Sequence, residues 1–88
     1  MTEYYEAHIT FNGAEDQDVL GWTYSEIAGD ITYGQGKKKY LTKHFSKARW
    51  SIEAIREDME MVSDYLQRFG CEILRNKIEL VVYDKRFQ

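Results

Sequence analysis

His8-Ile9-Thr10 and His44-Phe45-Ser46 share one pattern: a histidine, an apolar residue, then a hydroxyl. In a strand, residues two apart point the same way, so each histidine and its hydroxyl neighbour lie on one face. Two such pairs facing one cleft would suit a phosphate. One imidazole would serve as general base and the other as general acid, with the hydroxyls donating to phosphoryl oxygens. On that chemistry the catalytic set is His8, Thr10, His44 and Ser46. A metal site needs three or four convergent ligands, and the two histidines with Cys71 or Glu6 have no spacing that implies one. No metal and no cofactor is expected.

These residues work together only if the strands that carry them are neighbours. Glu3 to Phe11 alternates strictly, with Tyr5, Ala7, Ile9 and Phe11 on one face and Tyr4, Glu6, His8 and Thr10 on the other. That is a strand with one buried and one polar face. Asn12-Gly13 ends it. Asp16 or Asp18 is placed to cap a short helical turn through Leu20, after which Trp22, Tyr24 and Ile27 suggest a strand. Gly29-Asp30 and Gly34-Gln35-Gly36 break the chain, the second as a hairpin turn. Lys38 to Phe45 is the next strand, with Leu41 and Phe45 on the core phase and Tyr40, Thr42 and His44 opposite.

Ser46 or Ser51 then starts one long helix. With Ser51 as cap, Trp50 and Ile55 stand at the positions of a hydrophobic staple. Ile52, Ile55, Met59, Val62, Leu66 and Phe69 form one apolar stripe, and the carboxylates at 57, 58 and 60 read as a solvated face. Gly70 is the left-handed stop. Cys71 to Asp84 is a final strand, bulged near Asn76.

Composition agrees with a single domain over residues 1–88. The chain is 43% hydrophobic and 31% charged, which suits a folded globule. Seven Tyr, two Trp and four Phe allow a small core to hold without cross-links. Its one cysteine, Cys71, excludes an internal disulfide and reads as a packing residue. No apolar run approaches the roughly 20 residues of a membrane span, and the polar start Met1-Thr2-Glu3-Tyr4 is unlike a signal peptide. Cytoplasmic localisation without membrane contact is expected. A net charge of −3 argues against gripping a long nucleic-acid backbone. The clusters Lys37-Lys38-Lys39 with Lys43 and Lys47, and Arg75-Lys77 with Lys85-Arg86, still permit a small phosphate-bearing ligand.

One helix cannot cover both faces of a four-stranded sheet, so one face should stay open. The fold class expected is α+β: a ferredoxin-like sandwich, a four-stranded antiparallel sheet with one long helix and a first helix shortened or lost. Its first and third strands would be central neighbours. A simple register sets His44 nearer Tyr5 than His8, with the rings about three residues or roughly 10 Å apart.

The two His-x-Thr/Ser motifs resemble those of the two-histidine phosphoesterase superfamily, and that resemblance implies phosphoester chemistry at His8, Thr10, His44 and Ser46. Lys47 stands where that pattern has an apolar residue. The segments Tyr4–Thr10, Tyr40–Phe45 and Gly70–Glu79 are similar to a family of small bacterial and phage proteins. That similarity implies the ferredoxin-like arrangement and carries no activity with it.

The favoured functional expectation is a binding or assembly module acting through the open face. Tyr4, His8, Thr10, Tyr40, Thr42, His44, Lys77 and Tyr83 would lie there together. Its partner would be another protein or a second copy of the chain. Nucleotide or RNA binding stays open, because aromatics on a four-stranded face can stack bases. The alternative is the minimal phosphoesterase.

Overall fold

The computed structural model of the chain describes residues 2–28 and 37–83. The Gly29-Asp30 break, the Gly34-Gln35-Gly36 turn, the Lys85-Arg86 pair and the side chain of Tyr83 lie outside the described residues. Among the described residues, four strands, β1 (Thr2–Asn12), β2 (Thr23–Ala28), β3 (Lys37–Ser46) and β4 (Glu72–Tyr83), make one sheet in the order β2-β3-β1-β4. Every neighbouring pair is antiparallel. One helix, α1 (Ile52–Arg68), packs on one face. The fold is therefore α+β, with β1 and β3 adjacent in the middle.

Alternation along β1 and β3 sends Ala7, Ile9, Phe11, Leu41 and Phe45 into the core. There they meet Ile55, Met59, Val62 and Leu66 from the helix stripe. Each of these side chains larger than Ala7 contributes about 1.5–3 kcal/mol over its exposed state. The ends of the stripe do not join them. Ile52 and Phe69 are both exposed, and Phe69 lies against Tyr65 with ring centroids 4.7 Å apart.

Local signals fix where α1 begins and ends. Ser51 is the cap, its Oγ accepting from the Ala54 N–H at 3.1 Å, a contact typically worth about 1 kcal/mol. The Ser46 carbonyl instead accepts from the Arg49 and Trp50 N–H groups in the turn ahead of the helix. At the other end Gly70 adopts φ 82°, so its N–H reaches the Gln67 carbonyl and the Cys71 N–H reaches that of Leu66. This double closure satisfies carbonyls the helix leaves open.

The first helix is lost rather than shortened: residues 13–22, all described, contain none. Asn12-Gly13, Asp16, Asp18 and Gly21 favour turns, and no 3.6-residue stripe opposes them. The Asp18 carboxylate accepts from the Tyr24 N–H at 2.8 Å rather than capping a helical turn. Leu20 and Gly21, at φ 48° and 87°, form a tight reversal that pairs Val19 with Trp22. Val19 and Trp22 are both buried and fill the space where a helix would sit. Trp22 meets Phe45 edge-on at 5.9 Å. A loop anchored by one indole does the covering.

Candidate binding face

The register decides what shares the open face. His8 stands opposite Thr42 on β3 and Lys77 on β4, and Glu6 stands opposite His44 and Glu79. Tyr4 pairs with Ser46, and Thr10 with Tyr40 and Arg75. Tyr4, Glu6, His8, Thr10, Tyr40, Thr42, His44, Ser46 and Lys77 thus occupy one side of the sheet, away from α1. The backbone of Tyr83 pairs with Thr2 at the margin.

His44 is opposite Glu6, and so nearer Tyr5 than His8 along β1. Two residues rather than three separate the histidines, because directly paired residues must share a face. The histidines are therefore diagonal neighbours, about 7–8 Å apart at the backbone. Antiparallel pairing also sends the two hydroxyls apart. Thr10 lies one row beyond His8, and Ser46 one row beyond His44 in the opposite direction.

Between the histidines stands a carboxylate. Glu6 Oε1 lies 2.8 Å from His8 Nε2, and Oε2 lies 3.6 Å from His44 Nε2. His8 Nδ1 is 2.9 Å from Thr42 Oγ1, so both of its ring nitrogens have partners. His44 is 60% exposed at its side chain and rests on the Tyr4 ring at 5.0 Å. On β4, Lys77 pairs with Glu79, and that contact draws the Glu79 carboxyl below the ordinary glutamate range. The small stabilisation this implies at an exposed site is present at neutral pH and fades as acid titrates Glu79 through its lowered range.

The carboxylate beside Nε2 favours a proton there, leaving Nδ1 to accept from the Thr42 hydroxyl. The neutral His8 ring should accordingly be the Nε2–H tautomer. Long-range nitrogen-proton NMR of the imidazole reads this directly, and an Nδ1–H pattern would show that Glu6 does not hold the ring.

Beside this chain of contacts runs a shallow groove of about 300 Å³, lined by His8, Tyr40, Thr42, Ser25, Ile27 and Arg75 among others. Ile27, a candidate for the second strand from sequence, is 58% exposed. Among the described residues, Arg75 forms no ion pair.

Lys39 and Lys43 on β3, and Lys47 just past its end, are already engaged within the chain. Lys39 Nζ bonds the loop carbonyls of Gly13 and Glu15, Lys43 Nζ reaches Asp58 Oδ2 at 3.0 Å, and Lys47 Nζ reaches Glu3 Oε2 at 2.6 Å. The Glu3 contact raises the Lys47 ammonium above its usual range. Burial, aided by the hydrogen bond to Glu26, likewise raises the Tyr24 phenol. Asp58 was expected in solvent but also accepts from the Trp22 indole at 3.2 Å, joining loop, strand and helix. Its position one residue before Met59 on the stripe was the available signal.

Among the described residues, no group of three or more His, Cys, Asp or Glu side chains could hold a metal ion, and no helix is long and apolar enough to cross a membrane. No family model, no curated protein and no solved structure matches the chain.

Proposed function

We propose that this chain is a ferredoxin-like binding module whose open sheet face receives a partner protein. The strand order β2-β3-β1-β4, antiparallel throughout, supports the fold label, with the anchored loop in place of the first helix. The observation that carries the function is the Glu6-centred chain of contacts across β1 and β3. It holds polar side chains in fixed positions beside an uncovered groove, and pre-set groups lose little freedom when a partner arrives. The same chain of contacts weighs against phosphoester chemistry. A carboxylate between the imidazoles opposes an anionic substrate, and His8 has no unengaged nitrogen for proton transfer. Cytoplasmic work on a protein surface fits the charge balance better than RNA does, since nucleic-acid affinity is built on clustered cations.

Arg75, across Thr10 from Tyr40 in the same groove, favours a partner segment that brings a carboxylate to that end. A photo-activatable side chain at Tyr40 should give one discrete protein adduct in cells. Arg75→Glu should reduce its yield about tenfold, as a lost charge-assisted contact predicts. The same probe at Met61, exposed on the helix, should give no such adduct. Equal labelling from both positions, or an adduct that ribonuclease removes, would overturn the reading.

A further inference from the structure

The two edges of the sheet are not alike. β2 is six residues long, and the Asp18 carboxylate occupies its Tyr24 N–H. β4 is twelve residues long, and among the described residues its backbone ladder runs only to β1. Among the described residues, no side chain caps a β4 backbone group. It carries no proline, and Leu74, Leu80 and Val82 along it are about half exposed, at 52%, 49% and 52%. A long bare edge with apolar side chains is a template for another strand.

The sequence of β4 selects which strand. If two copies of β4 pair antiparallel about a two-fold axis, the register must match a residue with itself. Centring on Lys77 stacks ammonium on ammonium, and centring on Glu79 stacks carboxylate on carboxylate, which costs stability. Centring on Asn76 sets Arg75 against Lys77. Centring on Ile78 removes these clashes along Arg75–Val81: Lys77 meets the second copy's Glu79 twice and Arg75 meets Val81, the regular ladder stopping at the bulge of Leu74. In this register Leu80 meets Asn76.

A groove of about 320 Å³ lies there on the helix side, lined by Arg56, Met59, Glu60, Asn76 and Ile78. Leu80 pairs with Tyr5 and so lies on the same side of the sheet as α1. In the paired form each Leu80 enters the groove of the other copy. We infer that β4 is a homodimer edge, joining two copies of this chain into one eight-stranded antiparallel sheet centred on Ile78. A two-fold axis normal to the sheet keeps both helices on one side and both open faces on the other.

Sedimentation velocity on the full chain tests this with a charge cycle. The parent should be a concentration-dependent dimer. Lys77→Glu and Glu79→Lys each place like charges opposite one another twice, and each should weaken the dimer about tenfold or more. The double variant Lys77→Glu with Glu79→Lys restores both pairs with signs reversed and should dimerise like the parent. Both side chains are over 40% exposed, so the variants should fold, which circular dichroism verifies. A parent that stays monomeric to about 1 mM overturns the inference. So does a dimer indifferent to all three variants, or a double variant no better than the singles. Lys77 and Glu79 also border the open-face groove, so the two readings are separated by their readouts: sedimentation reports only self-association of the purified chain, whereas the Tyr40 adduct is scored in cells against Arg75→Glu, a position this register sets opposite Val81.

Discussion

Trp22→Ala should cost about 3–5 kcal/mol, the largest stability loss expected from any single truncation in this chain. Trp22 is the largest fully buried side chain, and it stands in for a helix. Its ring meets Phe45, and its indole N–H donates to Asp58, so one truncation opens a cavity and frees the loop of residues 13–22 from α1. A domain of this length has a total stability of only about 4–13 kcal/mol. The variant should therefore melt more than roughly 12 °C below the parent. Trp22→Phe separates the causes in part, since it keeps an aromatic ring in the core while losing the N–H and the remainder of the indole. It should fall well short of the alanine loss. A Trp22→Ala protein melting within about 4 °C of the parent would mean the loop is not anchored there.

Gly13→Ala should cost about 2–4 kcal/mol in urea unfolding, by two separable routes. Gly13 adopts φ 149°, which side chains rarely occupy, and a Cβ there would sit 2.6 Å from Cys71 Sγ. Removing the sulfur with Cys71→Ala should recover part of the Gly13→Ala loss, because the two changes share one contact and cannot be additive. The remainder is the backbone cost, together with the 3.0 Å approach to Cys71 Cα. Full additivity of the two substitutions would show that the thiol does not press on this turn.

What the sequence made legible follows from which signals were strictly periodic. Period two in Tyr5-Ala7-Ile9-Phe11 fixed the inner face of β1, and the spacing of Ile55, Met59, Val62 and Leu66 fixed that of α1. Ser51 and Gly70 marked the helix ends through local hydrogen bonding, which needs no tertiary context. Residues 13–22 have no period, and their conformation depends on a tertiary insertion by Trp22 that no local rule encodes. The bulge expected near Asn76 falls two residues before it, at Leu74, where the register against Thr10 and Phe11 shifts. Asn76 faces Ser63 across the helix interface, at 3.5 Å, and that pairing becomes visible only once α1 lies over β4. The diagonal relation of His8 and His44 follows from strand parity, but Glu6 between them depends on side-chain torsions beyond the reach of spacing.

β1 is bonded on both flanks, with Tyr5 opposite Phe45 on one side and Leu80 on the other. During synthesis this strand precedes both of its neighbours, and its second ladder must wait for some seventy further residues to be made. Until then its apolar side has no complete shelter. The chain should therefore gain protease resistance in one late step rather than gradually, and release from the ribosome short of β4 should leave a species prone to aggregation.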